Sequence, residues 1–213
     1  MKNRRNRLTL GRGSVVALVL LTVAIAFTTT YRSEDEASAS GKPKFDPVAY
    51  AAKTYEAKVV PAIKKNANDI TTLHKAIAAD PEAAGKRYGH QSGTGPASYA
   101  VTLTGTAGPA RSGLMPVTVP GLDKSARVSV QIGPAINGSA LRDAAGFITF
   151  GQFTNQVEYA DAATALNTEM KAKVLKSFDA AAAEGKKVTV TGAMTPLTAD
   201  TLTITPISIE AAS

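Results

Sequence analysis

The 213 residues contain no cysteine and no tryptophan. Without a thiol there is no disulfide framework, no thiolate nucleophile, no Cys-ligated zinc and no sulfur for a lipid to modify. Histidine is almost as scarce: His74 and His90 are the only two. Neither has a second histidine or a carboxylate at metal-ligand spacing, so no metal centre is expected. A serine nucleophile would need a base, and the chain has no Gly-x-Ser-x-Gly elbow. Charge of one sign is also sparse once it is mapped. The formal charge is +7, but Lys2, Arg4, Arg5, Arg7 and Arg12 precede residue 31 with no acid among them. The remaining 19 bases face 17 acids, so electrostatic steering toward phosphate is not expected.

What is present first is an apolar run. Residues 13–31 carry no charge, and their centre, Val15 to Phe27, is almost entirely apolar. About 20 apolar residues cross a bilayer as a helix. Bases lie on the N-terminal side and Glu34-Asp35-Glu36 on the other, so the positive-inside rule keeps residues 1–12 in the cytoplasm and exports the rest. The small-x-small site Ala37-Ser-Ala39 is separated from the run by those acids, an unfavourable spacer for cleavage. The segment therefore reads as an uncleaved, single-pass inner-membrane signal-anchor spanning 1–32 with its basic tip. Residues 33–44 read as a flexible tether.

The next stretch, 45–95, has helical periodicity. Asp46-Pro47 makes a helix start, with Phe45 placed to staple onto Tyr50. Val48, Ala52, Tyr55, Val59 and Ala62 recur three or four apart, followed by Ile63, Ile70, Leu73 and Ile77. Pro61 should kink or divide the helix and Asp80-Pro81 should end it, giving a helical hairpin, a bent helix or a spacer. The glycine-rich Gly89 to Gly95 lacks a Gly-Lys-Ser/Thr ending and reads as a linker, not a phosphate loop.

After residue 96 the period changes from 3.6 to 2. Strands are expected around Tyr99–Thr104, Met115–Val119, Ala126–Ile132, Lys187–Thr191 and Thr201–Thr205, with a bulge at Thr205-Pro206. A long amphipathic helix is expected near Tyr159 to Glu184, with Ala163, Leu166, Met170, Val174, Phe178 and Ala181 inward. The fold class is α+β: a membrane helix, a helical segment, and over 96–213 a small five-stranded OB-like barrel with one long helix between its third and fourth strands. A small α+β sheet packed on one helix is the alternative. Such barrels bind oligonucleotides or oligosaccharides, but export, near-neutral charge and the lack of tryptophan argue against nucleic acid.

Chemistry concentrates between residues 131 and 159. Gln131, Asn137, Asn155 and Gln156 offer amide donors and acceptors, and Arg142 offers a planar donor fork beside Asp143. Phe150 or Phe153 could cover the apolar face of a sugar ring, and Glu158 adds a carboxylate. The same residues have a packing reading: Phe147, Phe150 and Phe153 in the core, Ser139 as a cap, Arg142 paired with Asp143 or Glu158, and the amides bonded to loop backbone. Asn137-Gly-Ser139 reads as a turn. Glu158, Asp161 and Asp143 could act as paired glycosidase acids only if the tertiary structure brought them together, so no enzyme and no cofactor are expected.

The segments Val130 to Asp143, Phe150 to Tyr159 and Leu166-Asn167 resemble a family of predicted bacterial periplasmic lipoproteins of unknown function, often encoded beside sugar ABC-transporter genes. The resemblance covers residues 45–210. It implies an exported, membrane-associated domain linked to carbohydrate uptake, with ABC-transporter subunits or a solute-binding protein as partners. This chain departs from the family title, since without cysteine it cannot carry the lipid, and the apolar helix must anchor it. Three functions remain: a non-catalytic accessory of a carbohydrate ABC transporter, a module sensing a small sugar-like solute, or a structural envelope protein.

Overall fold

The computed structural model describes residues 44–212. The basic tip, the apolar run and the tether up to residue 43 lie outside them. No helix among the described residues is long and apolar enough to cross a membrane. Phe45–Ser213 forms one compact unit.

The first helix starts where the sequence places it. Asp46 accepts bonds from the backbone nitrogens of Val48 and Ala49, both at 3.0 Å, Pro47 takes the first turn, and the Phe45 and Tyr50 rings lie 5.5 Å apart. This helix, α1, spans Pro47–Thr54 and continues through a π-turn, Tyr55–Val59, into α2, Val60–Asn66. Pro61 has no N–H to give the carbonyl four residues back, and the wider turn just before it relieves the conflict. The buried side is therefore Ala51, Tyr55, Val59 and Ile63, each at most 1% exposed. Val48 and Ala52, expected on that side, face out.

The helical stretch is also divided more often than expected. Asn68–Asp69 forms a two-residue strand, β1, before α3, Ile70–Ala79, and Asp80 caps a further helix, α4, Pro81–Tyr88. A second two-residue strand, β2, is Gly89–His90. Neither short strand has enough residues to show a period, so only pairing reveals them: β1 runs parallel and β2 antiparallel to the next strand, β3, Ser98–Ala107.

Five strands make a closed barrel: β3 Ser98–Ala107, β4 Leu114–Thr118, β5 Arg127–Gln131, β6 Lys187–Met194 and β7 Thr201–Ala211. The order is β3-β4-β5-β7-β6, with β6 pairing back to β3; β5 and β7 are parallel and the other pairs antiparallel. This is the Greek-key order of an OB barrel. Alternation sorts the side chains into two cores. Val101, Leu103, Met115, Val130, Val190 and Ile204 fill the barrel with Ile70, Leu73 and Ile77 of α3. Ala100, Ala193 and Ile207 point outward and pack beneath the helices. Small side chains at Ala100 and Ala193 let the helical layer approach the wall closely.

Two glycines make the closure possible. A Cβ on Gly105 would lie 2.5 Å from the Thr118 oxygen, where β3 meets β4. A Cβ on Gly192 would lie 2.4 Å from the Thr205 oxygen. Beside Gly192 the register slips, Thr191 facing Ser208 and Gly192 facing Pro206, so the extra residue is Ile207. The bulge thus falls just beyond the expected Thr205-Pro206. It turns Ile207 out to the helical layer and returns Ile209 to the barrel.

The helix between the third and fourth barrel strands is shorter than the sequence suggests. It comprises α5, Ala140–Ala144, then α6, Gln156–Met170, with a π-turn, Lys171–Leu175, and after a break α7, Ala180–Ala183. Asp179 caps α7 through the nitrogens of Ala181 and Ala182, each at 3.0 Å. The break has a packing cause: Val174 and Leu175 flank the helical core, whereas Phe178 and Ala183 reach the barrel core. One straight helix could not serve both, and Ala181 is left exposed.

Candidate functional site

The loop after β5 is built by an amide. Gln131 Oε1 accepts from the Asn137 nitrogen at 2.8 Å, and its Nε2 donates to the Asn137 carbonyl at 3.0 Å and to Thr205 Oγ1 at 2.8 Å. Its hydrogen-bonding capacity is thus occupied in closing the 131–137 loop over β7. Helix α6 holds the same loop from behind: Asn167 Nδ2 donates to the Gly138 carbonyl at 2.9 Å and Lys171 Nζ to the Pro134 carbonyl at 2.6 Å. Asn137 lends its backbone to this clasp and keeps its side chain exposed.

The short helix α5 then presents Arg142 and Asp143. Arg142 is 8% exposed. Its Nε donates to Asp143 Oδ1 at 2.8 Å, its Nη1 to the Tyr159 carbonyl at 2.9 Å, and its Cζ lies 3.5 Å from the centre of the Tyr159 ring. Asp143 also accepts from Ser139 Oγ at 2.6 Å and from the Tyr159 hydroxyl at 3.3 Å, and that hydroxyl meets Ser92 Oγ at 2.8 Å. A buried ion pair is sustained only when its remaining polar sites are bonded, as here. Among the described residues no acceptor bonds Arg142 Nη2.

Aromatic rings cover one side of the network. Phe153 lies 5.3 Å from Phe45, 5.7 Å from Tyr50 and 5.3 Å from Tyr159, tying α1 to α6. Burial, reinforced by Tyr159, raises the Tyr50 hydroxyl above its ordinary pKa, so it stays a neutral member of the cluster. Phe150 is different: it stands edge-on to Tyr159 at 5.7 Å and is 42% exposed.

Asn155 and Glu158 begin α6. Asn155 Oδ1 accepts from the Glu158 nitrogen at 2.9 Å and caps the helix, and Glu158 Oε2 accepts from the Thr154 nitrogen, one residue before the cap, at 2.8 Å. Gln156 beside them is exposed.

Two neighbouring clefts result, each of about 490 Å³. The first has Arg142, Asp143 and Tyr159 on one side, Phe150 and Gln156 at the rim, and Ser92, Gly93 and Gly95 of the glycine-rich loop opposite. The second is lined by Leu114, Gln131, Asn137, Leu197 and Thr203. Ser139 and Thr195 border both. Of the residues singled out by sequence, Arg142, Asp143, Phe150 and Gln156 meet at the first cleft and Gln131 and Asn137 at the second. Phe153, Asn155 and Glu158 line neither cleft.

A family model described as "Predicted periplasmic lipoprotein (DUF2291)" matches residues 15–210. The chain belongs to this family. The match begins 30 residues before the span that the resemblance covers and takes in residues 15–31 of the apolar run. Among solved structures, an OB-fold protein from Thermotoga maritima is similar with a TM-score of 0.65 and 18% identity, covering 80% of this chain and 100% of that one. That likeness establishes the fold of this periplasmic family member and nothing about its ligand. No curated protein matches the chain significantly.

Sequence reasoning missed Ser92, Tyr159 and Thr195 as members of the site. Ser92 sat in a stretch whose glycines suggested only a linker, and Tyr159 opened a helix whose apolar face accounted for it. Thr195 follows β6, and Ser98 Oγ lies 2.6 Å from its hydroxyl, a pairing between residues 97 positions apart that no local pattern carries.

Proposed function

We propose that this family member is a non-catalytic periplasmic binding module serving a carbohydrate ABC-transport system, anchored in the inner membrane by residues 13–31, and that it takes a neutral sugar or polyol in the first cleft. The observation that carries this reading is Phe150. An exposed ring beside a set of hydroxyls, an amide and a paired guanidinium and carboxylate is the combination that holds a sugar, with C–H faces on the ring and hydroxyls on the polar groups. Asp143 accepts three hydrogen bonds and Arg142 neutralises it, which suits binding and leaves no free base for catalysis. The link to carbohydrate transport comes from the family resemblance.

Thermal unfolding of the protein against sugars, sugar acids and polyols tests this. A ligand at a hundred times its dissociation constant adds about 2.7 kcal/mol, a rise of about 5 to 11 °C for a domain of this size. The expected rise disappears in Phe150→Ala, whose own stability stays near that of the parent. No rise with any neutral sugar or polyol overturns the ligand reading.

A second reading is favoured by a separate observation. Val48 and Val157 are 69% and 67% exposed and lie at the starts of α1 and α6, next to the Phe45–Phe153 contact. They offer an apolar face for a transporter subunit or solute-binding protein. Co-purification with such subunits, lost in Val48→Asp/Val157→Asp, would support it; absence of both ligand and partner would leave a structural envelope role.

A further inference from the structure

We infer that the two clefts are halves of one trough and that its ligand is a neutral oligosaccharide of at least two rings, not a free monosaccharide. This rests on the sugar-binding reading above and goes beyond it in ligand length and in the use of the second cleft.

Continuity is the first argument. Ser139, at the start of α5, and Thr195, just after β6, border both clefts, so a ligand lying over Phe150 crosses this shared border to reach Leu114 and Leu197. A volume of about 490 Å³ on each side is that of a complete small-molecule site, and one ring would leave half the trough to water.

Charge is the second. Among the described residues no charged side chain lines the second cleft. The charged groups of the first are Arg142 and Asp143, paired at 2.8 Å. An acidic polymer would find no unpaired cation here and a basic one no unpaired carboxylate.

The third argument is the chemistry of the walls. Asn137, Ser112 and Ser92 are exposed and supply donors and acceptors along the whole length, while Phe150, Leu114 and Leu197 are 42%, 37% and 86% exposed and supply flat or apolar contacts at the two ends. Hydroxyl-binding groups flanked by apolar contacts match a chain of pyranose rings. A peptide that binds by strand addition needs a free sheet edge, and β5, β6 and β7 beside the trough each already pair on both sides.

The experiment is calorimetric titration of the full-length protein with neutral saccharides of one to six rings, with uncharged peptides and with acidic oligosaccharides of equal length. Affinity is expected to rise at least tenfold from one ring to two or three and then level off. Asn137→Ala and Leu197→Ala, both at exposed positions of the second cleft, are expected to return the longer ligands to monosaccharide affinity while leaving monosaccharide binding at Phe150 unchanged. Equal affinity at every length, or no effect of those two variants, overturns the trough while the single-ring reading stands. Tighter binding of peptides or acidic chains overturns the ligand class, and no saccharide binding overturns both readings.

Discussion

At the scale of single residues, the molecule shows which polar groups hold the fold and which are left for a ligand. Arg142 belongs to the first kind. Its side chain and that of Asp143 are 9% and 10% exposed, so Arg142→Ala strands a buried carboxylate. Chemical denaturation should show a loss of about 3 kcal/mol, whereas Phe150→Ala should cost little. Tyr55 is the opposite case. It is 1% exposed and its hydroxyl has no hydrogen-bond partner among the described residues, so burial pushes its pKa far above the ordinary tyrosine value. Removing an orphaned buried hydroxyl relieves its desolvation cost, and Tyr55→Phe is expected to raise stability by about 1 kcal/mol in the same measurement.

At the scale of elements, aspartate caps organise the helical layer. Asp46, Asp69, Asp80 and Asp179 each accept from the first-turn nitrogens of a helix. Burial alone would raise the Asp69 pKa, but bonds from the Thr71 hydroxyl and from the nitrogens of Thr71 and Thr72 outweigh it and the net shift is downward. The nitrogen and hydroxyl of Ser125 lower Asp123 likewise. Carboxylates depressed in the folded state stabilise it above their unfolded pKa, and that contribution is lost as pH falls through the folded value. The unfolding midpoint should therefore be nearly level from pH 7 to 5 and drop below about pH 4, less steeply in Asp69→Asn/Asp123→Asn. Asp69→Ala should cost about 1 kcal/mol at neutral pH. The caps at Asp46 and the breaks at Pro61 and Pro81 were legible because they are local. The break before α7 was not, because it depends on Phe178 and Ala183 serving a different core from Met170.

At the scale of the whole molecule, a closed barrel carries a helical layer on one wall, and the clefts lie among loops between elements that are distant in sequence. Gly105 marks how tightly the closure is built. Gly105→Ala should cost about 1 to 3 kcal/mol through overpacking against β4, measurable by thermal unfolding. Location has its own test. If residues 13–31 anchor the chain, protein recovered from membranes begins at residue 1 or 2 and resists high-salt extraction; a new N-terminus near Ser40 would show cleavage instead.

Periodicity and composition alone determined the five barrel strands, the fold class, the absence of thiol chemistry and the near-neutral surface, since each depends on spacing or counting along the chain. The dense stretch of residues 131–159 was recognisable, and so was a local carboxylate partner for Arg142, although the choice of Asp143 over Glu158 was made only by the structure. Only the tertiary structure decided that Gln131 clasps Thr205, 74 positions on, and that Ser92 and Thr195 join the site. Their partners lie 67 and 97 positions away, and contacts at such separations are created by barrel closure and helix docking, which no local pattern records.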